Sequence, residues 1–561
     1  MRILLLIHAF NSLSQRVFVE LEAAGHDVSI EFDINDETTR EAVALFRPDL
    51  ILAPYLKRAI PKDIWKAHLC LIVHPGIIGD RGPSALDWAI LRGEERWGVT
   101  VLQAEAEMDA GPIWASREFP MRAATKSSLY RGEVADGALE AIFEALEKIE
   151  RGVAPRPLDY GARDVRGRLQ PPVRQSDRRI DWAEDSTEHV LRKLRASDGV
   201  PGVRDGAFFL HDGHPAPGLQ GTPGEIIARS GPAICRATAD GAVWIGHMRD
   251  PAGRHTFKLP ATRILDPDVP EIPLDSERGY REITYREAGD VGFLRFNFYN
   301  GAMSSAQCER LLAAWREACR RPTRVIVLEG GDDFWSNGIH LNIIEAAPSP
   351  ADESWRNINA MDDLAEAIIR TQSHISVAAM RGNAGAGGVF LARACDFVWL
   401  RSAVVLNPHY KDMGNLYGSE FWTYLLPRCC GAENAARIAE ARLPMGAREA
   451  VELGLADAAF GRDRADFDAE VARRAGALAG EGFAALLESR NARRAADEAA
   501  RPLADYRAHE LAEMHRNFYG FDPSYHVARY NFVHKVCKSR TPLTLARHRD
   551  KRLSHPGRIA S

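Results

Sequence analysis

Residues 69–90 read LCLIVHPGIIGDRGPSALDWAI. An apolar run ends at His74-Pro75-Gly76, a turn rich in Gly and Pro follows through Asp80-Arg81-Gly82-Pro83, and a helix-like stretch closes with Ala89-Ile90. This is the grammar of a buried strand delivering a polar turn to a helix. Similar short apolar runs lie on either side: ILLLI near the start, HDVSIEF, DLILAPY, and WGVTVLQ ending at Gln103. Strands alternating with helical stretches predict a parallel α/β sheet, with active-site loops at the strand ends.

The chain has 561 residues, with 45% hydrophobic and 27% charged residues and a net charge of −5, the composition of a globular protein of roughly three or four domains. No basic excess recruits nucleic acid, and no apolar run reaches the ~18 residues of a membrane span. Eight cysteines without a CxxC pair suggest no metal site and a reducing cytoplasm. Residues 151–179 (RGVAPRPLDYGARDVRGRLQPPVRQSDRR) are rich in Pro, Arg and Gly and read as a linker. Beyond it, GAFFLHD, GEIIARS, AICRATA and GAVWIGHM predict a small β-barrel. A second α/β region starts near Tyr280, and a largely helical one follows Asp463.

The first motif continues through Gly98-Val99-Thr100 to Asp109-Ala110-Gly111-Pro112-Ile113. The ordered pattern resembles the N10-formyltetrahydrofolate-dependent formyltransferases and hydrolases over residues 1 to 268. The formyl transfer this resemblance implies passes through a tetrahedral intermediate and needs a proton shuttle and charge stabilisation, for which His74 with Asp109 are candidates. Gly76, Gly82 and Gly111 would let backbone approach a flat ligand. The resemblance implies a Rossmann-like catalytic domain, a following OB-like barrel, and a pterin site reached by ILAPYLKRAIP (51–61) and involving Arg81. The family's amide donor two residues before the histidine is replaced by Ile72, and a second family histidine by Leu102. Losing such a donor costs about 10²- to 10³-fold in rate.

Residues 280 to 463 carry Asn300-Gly301-Ala302-Met303-Ser304, then Phe334-Trp335-Ser336-Asn337-Gly338-Ile339-His340-Leu341, then Met380-Arg381-Gly382-Asn383-Ala384-Gly385-Ala386-Gly387-Gly388. These resemble the enoyl-CoA hydratase/isomerase (crotonase) superfamily. The resemblance implies that the amides of Ile339 and Gly387 polarise a thioester carbonyl, with Asn337, Gly338, Gly385 and Gly388 around the acyl-CoA. The glutamates of a typical hydratase would fall at Phe390 and near His409, so hydration is not expected. His409, Tyr410, Tyr417 and Glu420 remain, unranked, as proton-handling candidates. The basic run Lys535, Lys538, Arg540, Arg547, Arg549, Lys551 and Arg552 could meet CoA phosphates.

The expected architecture is multidomain α/β: a formyltransferase-like domain over 1–165, a β-barrel domain over 166–270, a crotonase-like spiral over 275–463, and a helical region completing it over 464–561. Such a fusion resembles the HypX (HoxX) hydrogenase-maturation family. That implies carbon monoxide formed from the formyl group of N10-formyltetrahydrofolate, through formyl-CoA, in the company of [NiFe]-hydrogenase maturation proteins. Formylation of a small amine beside a separate isomerase, or a non-catalytic folate- and CoA-binding scaffold, are the alternatives.

Overall fold

A computed structural model describes residues 1–550. The described chain divides into two compact units: Met1–Ala252 with Pro260–Glu271 and Cys537–Asp550, and Gly253–Leu259 with Ile272–Val536. Within the first unit, β1 (Arg2–Ile7), β2 (Asp27–Phe32), β3 (Leu50–Ala53), β4 (Cys70–His74), β5 (Arg96–Gln103) and β6 (Ile113–Pro120) form one sheet in the order β2-β1-β3-β4-β5-β6. The first four strands are parallel, as their near-continuous apolar text predicts. β5 and β6 depart from the expected parallel sheet, both pairings being antiparallel. The loop joining β5 to β6 is too short for a crossover, which takes a dozen residues or more.

The five strands β7 (Val203–Asp205), β8 (Phe208–Pro215), β9 (Ile226–Ser230), β10 (Ala233–Ala237) and β11 (Ala242–Arg249) follow the path β7-β8-β11-β10-β9. No β7–β9 pairing closes it, so the expected barrel is an open antiparallel sheet, with Val190, Leu191 and Leu194 of helix Thr187–Ala196 in its core. Residues read as a linker do more than connect. Gly167 N–H donates to the Ile78 carbonyl and Gln170 N–H to that of Arg81, both at 2.9 Å, so this segment backs the turn after His74.

The last described residues correct two expectations. The helical region ends with helix Ser524–Val533, and Cys537–Asp550 joins the first unit. There it runs along β2, the edge strand, accepting the Ile30 N–H at Leu545 O (3.1 Å) and the Phe32 N–H at Thr541 Oγ1 (2.8 Å). An edge left open would template aggregation, and this segment covers it. Arg540 binds Glu41 (2.6 Å) and Arg547 binds Glu22 (2.5 Å), so these two cations already have carboxylate partners. Lys551 and Arg552 lie outside the described residues.

The second unit holds the sheet β13-β14-β15-β17-β19-β22, made of Ile283–Ala288, Val291–Phe296, Val325–Glu329, Ile375–Met380, Phe397–Arg401 and Ala458–Phe460. Only its first pairing is antiparallel. Strand residues alternate between two cores: Leu294, Phe296, Ile326 and Leu328 face one, while Val291, Phe293, Val325 and Val327 pack with Phe467, Val471 and Ala475 of helix Arg464–Ala479. A shorter sheet, β16-β18-β20-β21 (Phe334–Ser336, Asn383–Gly385, Val405–Asn407, Met445–Gly446), carries the strand ends that matter for the site. No described helix is long and apolar enough to cross a membrane.

Candidate functional site

His74 ends β4, and its ring is nearly sealed from solvent, with 5% of the side chain exposed. Pro75 cannot donate to a ladder and ends the strand. The turn beyond it brings Asp80 Oδ2 to 2.9 Å from His74 Nε2. On the other side of the ring Asp109 Oδ2 lies 3.5 Å from Nδ1, an ionic approach rather than a full hydrogen bond. Asp109 adopts a left-handed backbone (φ 54°) and accepts the Gly82 N–H at 3.2 Å. One imidazole therefore stands between two carboxylates, one fixing its orientation and the other facing its second nitrogen. The sequence pattern contained Asp80 but gave it no role; its proximity depends on how the turn closes.

The glycines of this motif serve the chain itself. A Cβ on Gly76 would lie 2.5 Å from His74 Nε2 and 2.7 Å from Asp80 Oδ2, so glycine is required for the pair to form. Gly82 (φ 113°) rests on the Gln170 carbonyl, and Gly111 on that of Gln103. Arg81 donates to Met108 O (3.0 Å) and Glu107 (2.5 Å), tying the Asp109 loop to the His74 turn. Ile72 pairs in register with Ala53 and Leu102 and packs on the apolar core around Leu4 and Ile51, so it offers no polar donor.

In the second unit, parallel pairing of β16 with β18 sets two turns side by side. Gly338 (φ 76°) follows β16, and a Cβ on it would stand 3.5 Å from Gly387 N. Ser336 Oγ accepts the Gly338 N–H (3.1 Å), Met303 N–H donates to Gly338 O (2.9 Å), and the Asn337 side-chain amide donates to Asn300 O (2.8 Å). Gly388 packs on Ser336, whereas Gly385 makes only ordinary contacts. The amides of Ile339 and Gly387 have no acceptor among the described residues.

Against Gly387 sits the carboxyl of Glu420: a Cβ on that glycine would overlap it, with Oε2 at 2.7 Å. The Tyr410 hydroxyl approaches Glu420 Oε2 at 2.6 Å and Ser419 O at 2.9 Å, while the ring stacks on Phe390 at 5.5 Å. Phe390, the position at which the family resemblance would put a hydratase glutamate, thus supports Tyr410. Burial, then the nearby Asp362 charge, pushes the Glu420 carboxyl up to about 8, and burial pushes Asp362 up to about 6. Glu510 is raised to about 8 by burial and by Asp362. Tyr410 is pushed well above the ordinary tyrosine value by burial and then by Glu420. Glu420 and Phe421 are consecutive left-handed residues (φ 59° and 60°), a conformation costing about 1–3 kcal/mol each in non-glycine residues.

Of the four proton-handling candidates, the structure brings Glu420 and Tyr410 together. The Tyr417 hydroxyl instead meets His509 Nε2 at 2.9 Å on an exposed edge. His409 is a ring whose basicity burial lowers and whose Nδ1 lacks a partner. Asp362 and Glu510 were not anticipated. Asp362 had a signal: it is wholly buried on helix Pro350–Ile369, on the face with Ile358, Met361 and Ala365, at spacings that predict an apolar residue.

Comparison with known proteins agrees with this layout. Residues 11–146 match the formyl transferase family, 172–257 its C-terminal domain, and 298–520 the enoyl-CoA hydratase/isomerase family. Over its full length the chain is 57% identical to the hydrogenase maturation factor HoxX of Bradyrhizobium diazoefficiens, covering 99% of that protein. The chain belongs to the HoxX/HypX family of hydrogenase maturation factors. A crystal structure of the HypX of Aquifex aeolicus, in complex with tetrahydrofolic acid, shares 48% identity and superposes with a TM-score of 0.94, covering 98% of this chain and 99% of that one. Methionyl-tRNA formyltransferase of Thermus thermophilus is 27% identical over 42% of this HoxX/HypX-family chain and 77% of its own.

Proposed function

We propose that this maturation factor makes carbon monoxide from the formyl group of N10-formyltetrahydrofolate, using coenzyme A as carrier, for the iron of a [NiFe]-hydrogenase. Folate as the donor is supported by the tetrahydrofolic acid bound to the Aquifex relative. In the first step the CoA thiol attacks the formyl carbon. His74 takes the thiol proton and returns it to N10 as the N–C bond breaks, while Asp80 holds the ring and Asp109 offsets its transient charge. The products are tetrahydrofolate and formyl-CoA.

In the second step the thioester oxygen lies between the Ile339 and Gly387 amides. Glu420, as carboxylate, removes the formyl proton while the C–S bond breaks. CO leaves, and Glu420 passes the proton to the departing thiolate, so CoA is regenerated. Tyr410 hydrogen-bonds the Glu420 carboxylate and fixes its direction. The observation that carries this reading is the raised Glu420 carboxyl packed on Gly387, whose amide and that of Ile339 lack an acceptor among the described residues, with Phe390 where the family resemblance would put a water-activating carboxylate. We place the reaction in the cytoplasm, in keeping with eight free cysteines.

The test is to incubate the purified protein with formyltetrahydrofolate and CoA and follow CO with a reduced haem reporter. CO that depends on both small molecules is expected; formate alone would refute the reading.

A further inference from the structure

Glu420 is set by a backbone feature as much as by its own side chain. At Glu420–Phe421 the chain makes a left-handed elbow of two consecutive non-glycine residues and then starts helix Trp422–Cys430. No side chain from within that helix start caps it. The donors exposed there are met from two distant helices. Asp362, on helix Pro350–Ile369, accepts the Glu420 N–H at 2.8 Å, and its two oxygens both lie 2.7 Å from the Ser419 hydroxyl. Glu510, on helix Leu503–Tyr519, accepts the Phe421 N–H at 2.9 Å, the Thr423 N–H at 2.8 Å and the Thr423 hydroxyl at 2.5 Å. Both carboxyls are buried completely.

We infer that Asp362 and Glu510 are positioning residues: they clamp the Glu420–Phe421 elbow and thereby hold the Glu420 carboxyl on the Cα side of Gly387. This rests on the reading of Glu420 as the group that takes the formyl proton. Three features support it beyond ordinary helix capping. A neutral polar or apolar pair would cost less to bury than two carboxyls. The two anchors grip successive N–H groups on the two left-handed residues themselves. Glu420 is also the side chain in contact with Gly387. Besides the clamp, the titratable groups facing Glu420 are Tyr410 and Cys308, and Arg507 approaches Asp362 at 3.9 Å.

The test uses full-length protein and synthetic formyl-CoA. Glu510→Gln keeps an oxygen for Thr423 but can turn an amide NH₂ toward the Phe421 N–H. It should lower kcat for CO release about 10- to 100-fold with KM changed less than about 3-fold, because the amide pair is untouched. Asp362→Asn removes a negative neighbour and should move the rise of kcat with pH about one unit toward acid. Leu503→Ala, a wholly buried apolar residue on the Glu510 helix, serves as the folding control and should lower Tm while leaving kcat within about 2-fold. Wild-type kcat and pH profile in both clamp variants would overturn the inference, as would an equal loss of kcat in Leu503→Ala at matched Tm. Wild-type CO release by Glu420→Gln would instead refute the role given to Glu420. In that case the infrared carboxyl band of Glu420, assigned by its loss in Glu420→Gln, decides the clamp: a shift in Asp362→Asn supports it, and an unmoved band overturns it.

Discussion

The proposed formyl site and the proposed thioester site are built from different material. At the first, one imidazole is bracketed by two carboxylates, and all three side chains come from the end of β4, the turn after it or the β5–β6 loop. At the second, two backbone amides stand near one glutamate, whose own backbone is held by carboxyls on helices far away in sequence. There, burial and the neighbouring Asp362 and Glu510 carboxyls push the Glu420 carboxyl up to about 8. The formyl site is therefore a local construction, and the thioester site a property of the packed unit.

Breaking the comparison at its strongest point calls for His74→Ala. It should reduce CO from formyltetrahydrofolate by ~10³-fold or more while leaving CO release from supplied formyl-CoA unchanged, both read with the haem reporter. Glu420→Gln should do the converse: formyl-CoA accumulates, detectable by mass spectrometry, and CO release falls by ~10²- to 10³-fold. Asp80→Asn sharpens the contrast at the first site, since it leaves the ring in place but weakens its orientation; an approximately 10- to 100-fold loss in the formyl-transfer rate is expected.

Smaller effects test stability. Gly76→Ala puts a methyl onto the His74–Asp80 pair and should cost about 1–3 kcal/mol, seen as a lower Tm of the first unit. For Glu420 the folded value lies above the ordinary 4.5, so the native state holds the proton more tightly than the unfolded chain. Its contribution is thus greatest below pH ~4.5 and is lost as pH rises through about 8. Denaturant titrations between these limits should show a shallower loss of stability in Glu420→Gln than in the wild type.

The parallel strands β1–β4 are legible from short apolar runs, whereas the two amide-bearing turns and the pairing of His74 with Asp109 came from resemblance to known families. What reading the chain missed shares a physical origin. The antiparallel β5–β6 turn-back, the open path of the small sheet, and the Cys537–Asp550 cover of β2 depend on strand neighbours, which local periodicity does not encode. The crotonase-like pattern placed its glutamates at Phe390 and near His409, and the carboxyl beside Gly387 came from position 420 instead.

By itself, then, the sequence determined which families its two halves resemble and where their motifs lie. A histidine at a strand end and glycines before a pair of amides are set by residues within one turn of each other, where backbone sterics and donor count decide the outcome. Only the tertiary structure decided which carboxyls serve them. Asp80 reaches His74 because Gly76 leaves room, and Glu420 reaches Gly387 because Asp362 and Glu510 grip its backbone from distant helices. A carboxylate's reach and acidity depend on what surrounds it in space, and that is fixed when the elements pack.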